Sequence, residues 1–445
     1  MNVRPPLALA FVALAFVAVG VAGPASAAPP PEAVCGVCGP GLADAAEDAG
    51  VPLTVEYGAA TIRVREDGSG HWDARVRVDD RAADRLAANA TLRDRVVHAS
   101  LDRRTVVDDP RNLHTEVTND TLSVTFDQPA VAHRSLGGVV LVDLLDPRAR
   151  RAGLSLEADR LRIEGPNGTV VSRAPSAATV ENGAVVWLPT DEEPGLGRDT
   201  RLAFAPSGGP AARGLTSVGF VAFGVSLAEP SGLALGVAPA VLLGSLLLAV
   251  RRWGDELPAV DTARLGTVIA GGGAVAAVVA GAALAGSVLL DAAVAETVAT
   301  FAALYALVAA GAFLDRPSAR VALAWTLGAA ALVAAIASTV SVVAFQTALL
   351  SIPAALWFPL GRARGRGAVS GFVAVATVLA AFGAAVLYAP SASPVFGLLV
   401  SLFTTVPWAG ATVLFGFPLY LLGRGPGERT DPVGGSDRTD PTSAD

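Results

Sequence analysis

At 445 residues, with 52% hydrophobic side chains and a mean hydropathy of +0.51, the chain is too apolar for an ordinary soluble protein. Its 33 basic residues are outnumbered by 40 acidic ones, net −7, which excludes a nucleic-acid binder held by bulk positive charge. Every basic residue is Arg and none is Lys, so chemistry that needs a lysine Schiff base or a phosphate-loop lysine is excluded as well.

In chain order, Arg4 precedes an apolar core at residues 7–21, and Ala25-Ser26-Ala27 then supplies a small-x-small cleavage pattern. This is the layout of a secretory signal peptide, residues 1–27, cut after Ala27. The other reading is an uncleaved anchor, which would add one span. In both, residues 28–230 are delivered outside. That region holds 29 acidic residues against 21 arginines, net −8. In molar salt the screening length shrinks to about 3 Å and such a surface repels itself little. Acidity without lysine therefore points to a halophile; a GC-rich genome that prefers Arg codons is the alternative.

Cys35-Gly36-Val37-Cys38 is the most motif-like stretch, and it contains the chain's 2 cysteines. Outside the cell the pair is expected to be oxidised. Three readings stay open: a structural disulfide, a thiol redox pair ahead of a short helix at 42–48, and a metal bridge completed by histidines. The first is carried forward. Its loop is so short that the entropic gain is small, since a loop of about 15 residues gives about 3 kcal/mol. Replacing both cysteines by serine is then expected to leave folding nearly intact.

Further along, Ile62 and Val64 alternate with Arg63 and Arg65, a Gly-rich turn follows, and Trp72, Ala74, Val76 and Val78 alternate with Asp73, Arg75 and Arg77. Period two on both sides of a turn predicts a hairpin with one buried face. Asp79 or Asp80 then caps a helix running to Leu101, with apolar residues at helical spacing. A second hairpin is expected about Asn119-Asp120, with Leu122, Val124 and Phe126 on one face. Strands are expected near 139–144, 161–164, 169–172, 184–188 and 201–204. The stretch 215–228 is apolar, short and glycine-containing, and is read as a last strand in preference to an interfacial segment. These elements predict an extracellular α+β or β-rich domain, in one sheet or two. Three Asn-x-Thr sequons, at Asn89, Asn119 and Asn167, fall within it as glycosylation candidates.

From 231 to 423 the chain is a block of apolar segments, read as spans at about 231–250, 265–288, 295–314, 321–338, 342–360, 368–388 and 395–422. Each is close to the roughly 20 residues that cross a bilayer. Its arginines occupy alternate gaps: Arg251, Arg252 and Arg264; then Arg316 and Arg320; then Arg362, Arg364 and Arg366. Gaps near Asp291, Ser338 and Ser391 carry none. Positive charge stays cytoplasmic, so the pattern predicts a seven-helix transmembrane bundle with the N-terminus outside and the C-terminus inside, in the plasma membrane. Residues 338–341 must then be a tight outer turn. The glycines and alanines of the spans are read as packing sites. A tail at 424–445, rich in Gly, Pro, Asp and Thr, is too polar to bury a core.

Several membrane chemistries fail on composition. A retinal protein needs a Lys. An intramembrane serine protease needs a His beside its Ser, and His71, His98, His114 and His133 all lie before the spans. Ion-coupled transport marks itself by ionisable residues mid-span, whereas Asp291, Glu296 and Asp315 sit at span edges.

A signal peptide, an acidic external domain headed by Cys35 and Cys38, and Gly/Ala-rich spans together resemble multi-pass membrane proteins of haloarchaea. The resemblance rests on order and composition and brings no activity and no site residues with it. The reading is a non-enzymatic surface protein, without cofactor, metal site or nucleic-acid partner, that binds, senses or scaffolds. Its partners are the lipid bilayer and other membrane or envelope proteins. A permease or channel subunit for an uncharged or apolar solute is the alternative, and an extracytoplasmic thiol oxidoreductase is the third.

Overall fold

The computed structural model describes residues 31–146, 153–189, 196, 200–227, 236–253, 261–286, 292–314, 317–363, 367–388 and 394–424. The expected signal peptide, the tail beyond Arg424 and the first residues of the expected span 231–250 lie outside these. Two compact units are present. One joins the N-terminal region through Leu242 to Leu332–Leu350 and Val378–Gly410; the other comprises Leu243–Ala331, Ser351–Thr377 and the chain from Ala411.

The first unit holds a β-rich domain. After β1 (Glu32–Ala33) and α1 (Pro40–Asp48), the expected hairpin forms from β2 (Val55–Val64) and β3 (Gly70–Val78), with Ile62 opposite Trp72 and Arg63 opposite His71. The helix expected over 79–101 is instead two, α2 (Asp80–Ala88) and α3 (Ala90–Leu101). Asp79 caps the first through Ala82 N–H at 3.1 Å. Asn89 is extended and its side chain caps the second through Leu92 N–H at 3.0 Å. An Asn that competes for local backbone donors breaks a helix that apolar spacing alone would continue.

The second hairpin is β4 (Arg111–Thr118) with β5 (Thr121–Gln128), turned at Asn119, whose φ of 56° suits Asn. Short strands follow: β6 (His133–Arg134), β7 (Val140–Val142), β8 (Leu154–Ser155), β9 (Arg160–Glu164), β10 (Val170–Arg173), β11 (Thr179–Glu181), β12 (Ala184–Trp187) and β13 (Leu202–Ala205). They assemble into a seven-stranded sheet β11-β12-β9-β2-β3-β5-β4, a four-stranded sheet β10-β13-β7-β6 and the pair β1-β8. One face of the large sheet (Ile62, Trp72, Val124, Phe126, Leu161 among others) shares a buried core with Leu42, Leu86 and Val97 of the helices. Trp72 stacks on Phe126 with centroids 5.3 Å apart. Its indole donates to Gln128 Oε1 at 3.1 Å, and Gln128 Nε2 donates to the Val106 carbonyl at 3.1 Å, so these two buried side chains are paired.

Residues 215–228, expected as a strand, fall largely in a helix, α4 (Pro210–Ser226). Proline at its start suits the first turn. Ala212, Thr216, Phe220 and Gly224 are buried at every fourth position, a period the continuous apolar run conceals. This face lies on the small sheet at Leu141, Ala203 and Ala205, in one cluster that also takes in Val342. His133, held to Asp143 at 3.1 Å, stacks on Phe223 with centroids 4.4 Å apart.

The apolar block contains α5 (Val237–Trp253), α6 (Thr262–Gly286), α7 (Ala292–Ala310), α8 (Ala319–Val340), α9 (Val342–Ala355), α10 (Trp357–Arg362), α11 (Ala368–Tyr388) and α12 (Pro394–Arg424). Among the described residues six helices are long and apolar enough to cross a membrane, with α9 and α10 counted together as Val342–Arg362. The expected first span falls on α5, whose described apolar stretch, Pro239–Val250, is too short to be counted with the six. The expectation of packing glycines holds at some positions: a Cβ on Gly273 would stand 3.0 Å from the Ala302 carbonyl and 3.1 Å from Ala306 Cβ, whereas one on Gly271 or Gly272 would meet nothing within 4 Å.

Aromatic donors serve backbone carbonyls within the block. Trp408 Nε1 donates to the Leu350 carbonyl at 3.0 Å, and Tyr305 Oη to that of Phe415 at 2.8 Å. Leu350 and Phe415 each lie three residues before a proline, Pro353 and Pro418. A proline lacks the N–H that would pair the carbonyl four residues before it, at Leu349 and Leu414, and its ring distorts that turn; the aromatic donors reach the next carbonyl along. Trp325 Nε1 reaches the Leu307 carbonyl at 2.8 Å, in the last turn of α7 where in-helix donors run out. Trp408→Phe should lower unfolding stability in micelles by about 1 kcal/mol; no loss would mean that the Leu350 carbonyl has another donor.

Candidate functional site

Cys35 and Cys38 sit where the chain enters the domain, with Cα atoms 5.3 Å apart, close enough for a disulfide. The turn is closed by Cys38 N–H to the Cys35 carbonyl at 3.1 Å. Three elements hold it. From α3, Ser100 Oγ donates to the Gly36 carbonyl at 2.6 Å. On β2, Gly58 leaves room for the Cys38 carbonyl, which a Cβ there would strike. Ahead of the turn, Ala33 N–H donates to the Arg104 carbonyl at 2.8 Å, and Val106 N–H to Ala33 at 3.0 Å.

The helix α1 begins two residues after Cys38, a placement that lowers a thiol's pKa in reactive pairs. Here the cysteines are 1% and 2% exposed, inside the main core. A partner's sulfur has no approach to them unless the segment opens. Of the histidines weighed as metal partners, His71 and His133 are held by carboxylates, and His98 and His114 are exposed. Among the described residues no three His, Cys, Asp or Glu side chains are grouped to hold a metal.

The second feature was not legible from any motif. On the open face of the large sheet, strand register lines up Glu164, Arg63, His71 and Asp127 across β9, β2, β3 and β5. Asp127 accepts from Asn112 Nδ2 at 3.0 Å, His71 Nδ1 at 2.9 Å and Arg65 Nη2 at 2.7 Å. These bonds, Asn112 and His71 foremost, hold its carboxyl down at about 2, below the ordinary 3.8. Beside it Arg63 pairs with Glu164 at 3.1 Å. Arg63, Arg65, Glu66, His71, Glu164 and Asn167 are among the residues lining a shallow cavity of about 460 Å³. The site is polar and charge-balanced, and its His–Asp pair has no serine or cysteine placed as nucleophile among its lining residues. It can bind through paired hydrogen bonds; it does not form a hydrolytic triad.

The alternation of Arg63, Arg65, Arg75 and Arg77 with apolar residues fixes which side they face. The meeting of Arg65 with Asp127 depends on a register between distant strands. The three sequon asparagines are exposed: Asn89 between α2 and α3, Asn119 at the β4–β5 turn, and Asn167 after β9. No family model, curated protein or solved structure matches the chain.

Two outcomes follow. Because the folded pKa of Asp127 lies below the ordinary value, its contribution is complete above the ordinary carboxylate range and is lost as pH falls from about 4 through about 2. Acid unfolding followed by circular dichroism should flatten in that window in Asp127→Asn; an unchanged profile would remove Asp127 from the account. Burial also corrects the expectation for the cysteines. Serines there would bury two hydroxyls at about 1–3 kcal/mol each, so Cys35→Ser/Cys38→Ser should melt well below Cys35→Ala/Cys38→Ala, and equal melting would contradict the buried placement.

Proposed function

We propose that the chain is a seven-span membrane protein whose N-terminal domain stands outside the cell and binds or senses an envelope component, or scaffolds neighbouring proteins there. One observation carries the topology. The arginine-free turn at 338–341 belongs to the same unit as the domain and touches it: Ser217 Oγ of α4 donates to the Ser338 carbonyl at 2.7 Å. In sequence, the arginine-bearing stretches 315–320 and 361–367 lie at the far ends of the two helical segments that meet at this turn. The 22-residue α8 runs from beside the first of these stretches to that turn, and at about 1.5 Å per residue it covers about 33 Å, one membrane crossing. With positive charge retained in the cytoplasm, the domain lies outside. α5, extended by the apolar residues before it in sequence, supplies the seventh span.

The acidic, lysine-free composition supports a high-salt habitat, and the apolar leader supports secretion of the domain. Binding, not catalysis, is favoured by the paired charges around Asp127 and Glu164 on the sheet face. The buried Cys35 and Cys38 favour a structural bridge over thiol exchange. Transport is less favoured, because Trp357 and Phe358, which follow the helix break at Leu356, are each 0% exposed.

In sealed cells of a variant without Cys35 and Cys38, a cysteine at Ser393 or Ala293 should react with an impermeant maleimide, while one at Ser318 or Ala363 should not. Labelling at Ala363 from outside would sink the topology.

A further inference from the structure

We propose that Asn89 is the preferred site of N-linked glycosylation in this domain, an inference that rests on the outward placement of the domain. Three requirements follow from the chemistry of such a transfer. The acceptor nitrogen must be free in solvent, the backbone at the acceptor must be extended, and the hydroxyl two residues on must be free for the transferring enzyme to bind.

Asn89 meets all three. It is exposed at the junction of α2 and α3, with φ −138° and ψ 91°. Its Oδ1 is committed to the Leu92 N–H at 3.0 Å, whereas Nδ2 has no partner among the described residues. The Thr91 hydroxyl is exposed and likewise has none. The other two sequons each fail. Asn119 has a φ of 56°, and Thr121 Oγ1 is spent on Asp120 Oδ1 at 3.0 Å. At Asn167 the hydroxyl of Thr169 is spent on the Pro166 carbonyl at 2.7 Å.

In the transfer, Nδ2 attacks the anomeric carbon of a saccharide carried on a lipid phosphate. The C–N bond forms as the anomeric C–O bond breaks, its electron pair leaves with the lipid phosphate, and the amide proton passes to a base of the transferase. Oδ1 is untouched, so the glycan and the helix cap coexist. The addition places a hydrophilic chain at the α2–α3 junction and leaves the open sheet face clear.

The test uses full-length protein from the membranes of its native host. With Arg as the chain's sole tryptic residue, the sequons fall in separate peptides, residues 86–93, 112–134 and 163–173. The first should carry a saccharide mass and the other two should be found mainly at their sequence mass. Asn89→Asp keeps the capping oxygen but removes the acceptor nitrogen; it should fold normally and lose the added mass, as should Thr91→Ala. Equal occupancy of all three sequons overturns the choice of Asn89. Residues 86–93 found solely at sequence mass overturn the proposal while the topology stands, provided a Ser393→Cys variant is labelled from outside. If that variant is also unlabelled, the outward placement itself has failed.

Discussion

The hydrogen bond from Ser217 Oγ to the Ser338 carbonyl is the joint on which the first unit depends. Ser338 lies in the last turn of α8, where a carbonyl has no in-helix donor and, in an apolar setting, must find one elsewhere. α4 supplies it, and can do so because Gly214 has no side chain: a Cβ there would stand 3.1 Å from Ser338 Oγ. The opposite side of α4 is fixed by Ala212 and Phe220 on the small sheet. The order of constraint is therefore clear. The β7–β13 register sets the sheet surface, that surface seats α4, and α4 seats the turn between α8 and α9. Ser341 completes the turn by capping α9 at the Ala344 N–H, 2.9 Å away.

Much of this was legible in the sequence where one physical period dominated. The β2–β3 hairpin and the β4–β5 hairpin follow from alternation, because one side of each strand must face the core. The turn at 338–341 follows from length, because residues 321–360 are too many for one crossing. Failures came where two rules competed. Asn89 sits within a good helical pattern, and its capping geometry won over the period. In α4 both sides of the helix are apolar or small, so periodicity gave no signal and the segment passed for a strand. The meeting of His71, Asn112 and Arg65 at Asp127 was beyond reach, since it needs the register of strands 56 residues apart in sequence between His71 and Asp127.

Polar chemistry is distributed unequally between the two kinds of structure in this chain. In the apolar helices, hydroxyls such as those of Thr326 and Thr377 return to their own helix at Ala322 and Val373, and the indoles and phenol described above satisfy carbonyls near prolines and helix ends. The first kind of bond satisfies the hydroxyl and the second a backbone carbonyl, each in a setting where hydrocarbon offers no partner. The large sheet spends its polar side chains differently. His71 and Asp127 on paired strands, Arg65 in the β2–β3 turn and Asn112 at an irregularity of the edge strand β4 form a network at the surface. Such a network is not needed to satisfy the main chain, and its donors are held in fixed directions by the register beneath them. A surface of preset donors and acceptors loses little side-chain freedom when a polar partner docks. That asymmetry leaves preset donors and acceptors on the sheet, while α4 ties the small sheet to the turn between α8 and α9.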